Sequence, residues 1–195
     1  MKTVMEQKCR PFSNYIDVCD LMNGTMEWNS SEELIVSPQK PKEYSEKVLI
    51  QSPQRICLAL QQLQCFEVVE HQFQAWGITF VNAIALQPSN PAFGIQPNQT
   101  VLMGAPKSGW LEVHFQHPVR RVEAVVTSSR RTILSAYNQE GHEINRTEMA
   151  KPFNRSSTPR VLPSDQLSVQ APEIYKVTFY TFDGQLIVDQ LKVEF

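Results

Sequence analysis

Trp110-Leu-Glu-Val-His-Phe-Gln-His-Pro-Val-Arg-Arg-Val-Glu-Ala-Val-Val-Thr-Ser128 is the stretch that decides the fold class. Leu111, Val113 and Phe115 alternate with Glu112, His114 and Gln116, so a strand here lays one apolar side on a core and turns a polar side to water. Pro118 interrupts the pattern. A second strand is expected beyond it, through Val122, Ala124 and Val126 or, in the opposite phase, through Val125. Neither part suits a long helix, which would scatter these apolar side chains around its circumference.

Working outward toward the C-terminus, the same pattern repeats in short pieces. Leu134, Ala136 and Tyr137 read as a strand, Gln139-Glu140-Gly141 as its turn, and Ile144 as the start of a partner strand. Leu167–Val169 forms a short strand. Ile174–Phe182 alternates through Val177 and Phe179, Asp183-Gly184 reads as a hairpin turn, and a last strand runs from Leu186 to Phe195. Toward the N-terminus, Ile78 and Phe80 alternate behind Gly77, and Ala83 and Ala85 continue a strand packed closely on a neighbour.

Residues 47–69 can be read as strands or as a helical turn, and the β-branched content behind Pro53 favours strands. Residues 15–18 and 26–28 suit short strands around the turn dipeptide Asn23-Gly24, with a polar loop from 30 to 45. Short strands separated by turns, with no helical run between them, specify an all-β domain, a sandwich or barrel. The expected division is an N-terminal region over residues 1–72, adding strands to the sandwich or wrapping it, and a β-sandwich domain over 73–195.

Bulk composition removes several functions. Of the 195 residues, 42% are hydrophobic and only 19% charged, and the formal net charge is -2. A real core is therefore affordable, but the dense Lys/Arg field that nucleic acid or an anionic membrane rewards is missing. Arg120-Arg121 and Arg130-Arg131 are only pairs. No apolar run approaches the ~20 residues of a membrane span. The opening residues show no apolar signal core, which predicts a cytoplasmic location.

Cys9, Cys19, Cys57 and Cys65 form no Cys-x-x-Cys unit, and read as free thiols or as two disulfides. Five of the nine asparagines sit in Asn-x-Ser/Thr, at 23, 29, 98, 145 and 154. Without a signal segment, these read as a by-product of a Ser/Thr-rich surface.

Four groups of residues carry a family resemblance, covering roughly residues 73–195. They are Gly77, Ile78 and Phe80; Phe115, Pro118, Val119 and Val122; Leu134, Ala136, Tyr137 and Gly141; and Ile174, Val177, Phe179, Ile187, Asp189 and Leu191. Together they resemble the galactose-binding-like jelly-roll module, above all the versions in exported bacterial, especially cyanobacterial, proteins that carry a sorting tail. The resemblance implies a jelly-roll β-sandwich and an exported protein. It also implies a structural calcium ion near the first and last strands, for which Asn82, Ser89, Asn90 and Asp189 are the nominated ligands, since calcium takes oxygen donors. The usual acidic pair of the last strand is Asp189-Gln190 here.

A sugar site needs an aromatic face and fixed hydrogen-bonding groups. The loops around residues 88–108 and 151–165 supply Phe93, Asn98, Lys107, Trp110, Phe153, Asn154, Arg155 and Arg160. Phe93 serves either as a plug over the sandwich end or as a platform for a ligand. His71, His114, His117 and His142 are scattered; His114 and His117 lie outward or in a turn beside Glu112 and Arg120, with no Asp, Ser or Cys partner at an instructive spacing, so no catalytic residue is assigned. The expected function is non-catalytic recognition of a ligand, a glycan or another small polar molecule. A structural or protein-interaction scaffold is the alternative, and an enzyme of unassigned class the third. Low charge and abundant glutamine fit a homo-oligomer as readily as a monomer.

Overall fold

The computed structural model describes residues 33–38, 55–104, 109–149, 161–182 and 184–195. The strands are β1 (Leu34–Val36), β2 (Arg55–Leu58), β3 (Val68–Val69), β4 (Ile78–Val81), β5 (Ala83–Leu86), β6 (Val101–Gly104), β7 (Trp110–Ser128), β8 (Thr132–Tyr137), β9 (Glu143–Glu148), β10 (Ser164–Thr181) and β11 (Leu186–Glu194). Helical structure among the described residues is confined to three-residue 3-10 turns at Leu60–Gln62, Gln74–Trp76 and Pro91–Phe93. The chain is all-β.

The expected break at Pro118 is a bend instead. β7 runs unbroken for 19 residues and β10 for 18, and the two pair antiparallel along most of their length. The pairs Val119–Ile174 and His114–Lys176 leave Phe115–Pro118 of β7 opposite Tyr175 alone. The pairs Arg121–Gln170 and Val119–Ile174 leave Ala171–Glu173 opposite Arg120. Each strand thus bulges in its middle, and each bulge holds a proline, Pro118 or Pro172. A proline has no N–H for the ladder, so a bulge is where a long strand tolerates one, and bulges bend strands.

The bend divides the pairing into two layers. One is ordered β9-β8-β10-β7-β4 and uses Lys176–Thr181 of β10 and the first residues of β7. The other uses Ser164–Gln170 of β10 and the last residues of β7. It continues through β11 to β6, β5 and β3, and separately to β2 and β1. β1 and β2, which are parallel, and β3 precede residue 73 and join this sheet.

Inward residues of both layers form one buried cluster. Leu111, Val113, Ile78, Phe80, Leu134, Ala136, Val177 and Phe179 come from the first layer. Val122, Ala124, Val126, Leu167, Val169, Leu191, Val193, Ile56 and Leu58 come from the second. Two layers that share one core make a β-sandwich. Burial of each large aliphatic or aromatic side chain contributes about 1.5–3 kcal/mol. Between the two phases offered for β7, burial selects Val122, Ala124 and Val126.

Two connections differ from the sequence reading. β4 and β5 are not one strand, because Asn82, at φ 62°, turns the chain from β4 in the first layer to β5 in the second. β10 and β11 are not a hairpin. They flank β7 on opposite sides, β10 ending at Thr181 in the first layer and β11 beginning at Leu186 in the second; Asp183 itself lies outside the described residues. The β8–β9 hairpin is as expected, closed by Asn138 and His142, with Gly141 at φ 81°.

Candidate functional site

Alternation along β7, β10 and β8 turns a second set of residues outward from the first layer. Register fixes these in three cross-strand rows. The first is Trp110, Tyr180, Ile133 and Glu148; the second Val81, Glu112, Thr178, Ser135 and Arg146; the third Thr79, His114, Lys176, Tyr137 and Glu143. Neighbours in a row stand ~5 Å apart and rows about 7 Å apart, so the indole, the phenols and the charged groups share one sheet face. Tyr180 is 42% exposed, and Trp110, Tyr137 and Lys176 are half-buried. Phe182, just past the end of β10, is 74% exposed.

The polar members hold one another in place. His114 Nε2 donates to Glu112 Oε2 at 2.8 Å, and Lys176 Nζ lies 3.5 Å from Glu112 Oε1. The Lys176 ammonium also stands 4.7 Å from the centre of the Tyr137 ring, a cation–π contact. Thr178 Oγ1 donates to the Tyr137 hydroxyl at 3.4 Å. At the β9 side, an open pocket of about 240 Å³ is lined by Arg131, Ile133, Arg146, Thr147 and Glu148.

The backbone of Trp110 is fixed from several directions. Asn82 Nδ2 donates to its carbonyl at 2.7 Å. A Cβ on Gly104 would stand 2.7 Å from that same carbonyl oxygen, so only glycine allows the approach. Gly109, at φ 61°, accepts from Thr181 N at 2.7 Å, and a Cβ there would meet Thr181 O at 2.4 Å. A platform held this way loses little freedom when a ligand arrives.

Of the residues nominated from sequence, Trp110 lies on this face. Phe93 points inward and is 8% exposed. It packs with Val101 and Ile187 in a small second cluster flanked by Leu86, Ile95, Met103 and Leu162. Asn98 is exposed at φ 65°. Lys107, Phe153, Asn154, Arg155 and Arg160 lie outside the described residues, as do Cys9, Cys19 and the segments expected around 15–28.

Among the residues nominated for calcium, Ser89 is exposed, Asn82 holds Trp110, and Asn90 Oδ1 accepts from Ala92 N at 2.9 Å. Asp189 sits at the β11 bulge, on the edge where pairing passes from β6 to β2, and accepts a hydrogen bond from Gln99 Nε2. Burial raises its carboxyl above the ordinary range, and the Gln99 bond partly offsets this. Among the described residues, no three or more His, Cys, Asp or Glu side chains gather as metal ligands would.

Sequence reasoning noted His114 beside Glu112 but missed Tyr180, Lys176 and Tyr137 as their neighbours. Each strand's outward positions were readable from its alternation. The register that joins Trp110 to a tyrosine 70 positions later was not.

No protein-family model matches the chain, and no curated protein sequence matches it. Among solved structures, the chain is similar to the K2 cleaved adhesin domain of Lys-gingipain, at 9% identity over 65% of this chain and 92% of that one, with a TM-score of 0.41. It is likewise similar to the K1 cleaved adhesin domain of the same protein from Porphyromonas gingivalis W83, at 7% identity over 60% and 90%, with a TM-score of 0.41. A family 29 carbohydrate-binding-module mutant complexed with mannohexaose gives 8% identity over 60% and 80%, with a TM-score of 0.38. Likeness at this level lends no support to a shared activity, and the sandwich rests on the strand pairing and core above. Among the described residues, no helix is long and apolar enough to cross a membrane.

Proposed function

We propose that this protein is a non-catalytic recognition module for glycans, and that the outward face of the first layer is its binding surface. The observation that carries the reading is the Trp110–Tyr180 cross-strand pair lying directly beside Glu112, His114 and Lys176. Aromatic rings accept the apolar face of a sugar ring, while a fixed carboxylate, imidazole and ammonium bond its hydroxyls. The proposal moves the site from the end loops to the sheet, with Trp110 common to both. The resemblance of residues 73–195 to galactose-binding-like modules of exported bacterial proteins fits this reading, and we extend the proposal to an exported protein.

A glycan array probed with purified protein tests it. Specific binding is expected, lost in Trp110→Ala and Tyr180→Ala and kept in Asn98→Ala. A blank array from folded protein contradicts the reading. Running the array with and without added calcium tests whether an ion near Asp189 contributes.

A protein-interaction role is the second reading. It is favoured by Phe66 and Val68, 81% and 58% exposed beside the edge strand β3.

A further inference from the structure

Among the described residues, the order β3-β5-β6-β11-β7-β10-β8-β9 puts β3 at one end of the sheet path, paired with β5 alone. An open edge carries unpaired backbone groups and is a template for another strand. Here the edge is occupied by a side chain. Gln72 Nε2 donates to Val68 O at 2.9 Å, and Gln72 Oε1 accepts from Glu70 N at 2.7 Å. In a parallel ladder, one residue opposite Val69 would make this same pair of bonds, donating to the Val68 carbonyl and accepting from the Glu70 amide. The Gln72 carboxamide therefore makes the two bonds that one residue of an added strand would make.

Two features distinguish this edge from one that is simply closed. Phe66 holds φ 70°, the left-handed region that a bulky aromatic rarely enters, and its ring is 81% exposed. The backbone conformation belongs to a bulge against β5, in which Phe66 N donates to Ala85 O at 2.7 Å and Glu67 O accepts from Ala85 N at 2.9 Å, so what the fold leaves unused is the exposed ring. Val68, 58% exposed, continues the apolar strip, backed across the register by Ile84 and Met103.

The local charge selects the partner. Between Arg55 and Lys107 the sequence has no lysine or arginine, and its only carboxylates are Glu67 and Glu70. Glu67 Oε2 accepts from Gln72 Nε2 at 3.2 Å, so withdrawal of the carboxamide leaves that oxygen ready for a cation.

We propose that the outer edge of β3 is a strand-addition site for an extended segment of a partner protein in which apolar and basic residues alternate. Gln72 holds it shut in the free protein. The entering segment runs parallel to β3 and displaces the carboxamide. It takes over the Val68 and Glu70 bonds, lays apolar side chains over Phe66 and Val68, and gives Glu67 a lysine or arginine in place of the amide.

The test is a titration of the full chain with the capped peptide Lys-Val-Lys-Val-Lys-Val, followed by calorimetry and by amide NMR. Shifts at the Val68 and Glu70 amides are expected, with affinity about tenfold higher in Gln72→Ala, which removes the competitor. Phe66→Ser is expected to weaken binding about tenfold. Gln72→Glu keeps the acceptor and loses the donor, providing a second variant if the alanine form does not fold. Equal affinity in wild type and both Gln72 variants overturns the proposal, as does equal binding of Glu-Val-Glu-Val-Glu-Val. Self-association of Gln72→Ala without peptide binding also overturns it, since the occupant would then be a second copy.

Discussion

Along its first residues β7 turns Trp110, Glu112 and His114 outward, and beyond the bend it turns Arg121, Glu123 and Val125 outward. The inward residues do the same work in both parts, Leu111 and Val113 in one layer and Val122, Ala124 and Val126 in the other. The outward ones do not. Around Arg121 and Glu123 the rows are Gln170, Arg121, Glu194, Arg55 and Ser168, Glu123, Lys192, Cys57, none of them aromatic. Their charges are matched locally. Arg121 pairs with Glu123 at 2.6 Å, Lys192 with Glu33 at 2.8 Å and Arg55 with Glu194 at 3.3 Å, while Arg121 Nε donates to Ser168 Oγ at 3.2 Å. Folding needs the inward pattern and leaves the outward one free. Both outer faces carry ion pairs, and it is the Trp110–Tyr180 aromatic pair, present on the first alone, that supports the proposal of a binding surface there.

The comparison breaks first if the two layers do not share one core. Leu111→Ala and Leu167→Ala, one in each layer and each fully or almost fully buried, should both lose about 2–5 kcal/mol of stability in guanidinium unfolding, each in a single transition. A large loss in one and none in the other would mean the layers fold separately. The next effect is on binding alone. Trp110→Ala or Tyr180→Ala should weaken glycan affinity tenfold or more, on the order of 1.4 kcal/mol. The double change Arg121→Ala with Glu123→Ala should leave it within about twofold. Calorimetry with the best array glycan separates the two.

Register explains what could be read in advance. The alternation of Leu111, Val113 and Phe115, and of Val177 and Phe179, is local, and it specified an all-β chain and most of its inward residues. Pro118 was visible too, but whether a proline ends a strand or bends it depends on the partner strand, here β10 with its own bulge at Ala171–Glu173. The Asp183-Gly184 dipeptide signalled a turn and could not say that β11 would pair with β7 rather than with β10. Trp110 stood out as an aromatic, but its site is made by Tyr180 and Lys176, which only cross-strand pairing brings beside it. Phe93 lay in a long loop and could be read as a plug over the sandwich end or as a ligand platform. Val101, and above all Ile187 far along the chain, supply the apolar floor that draws it inward.

Smaller effects sharpen the contrast. Lys176→Met removes the Glu112 ion pair and the contact with Tyr137, and should cost about 0.5–1 kcal/mol in stability along with some affinity, read from melting and calorimetry. The smallest effect belongs to the second layer. The Asp189 carboxyl titrates above its unfolded value because burial disfavours its charge. Between those two values the folded protein binds more protons than the unfolded chain. The group therefore opposes folding as pH rises through that window, and the penalty is absent below the unfolded value. Asp189→Asn should stabilise the protein at pH 7 and lose most of that advantage near pH 3.5, as measured by urea midpoints of the two proteins at each pH.

The most direct measurement is an amide and indole NMR titration with hexasaccharides of mannan, glucan, xylan and galactan. A binding hexasaccharide should shift the Trp110 indole N–H and the amides of Glu112, His114, Lys176 and Tyr180, leaving Arg121, Glu123 and Lys192 unmoved. Shifts confined to the Arg121–Glu123 face or to the end loops, or none with any of the four, would contradict the assignment of the aromatic face as the binding surface.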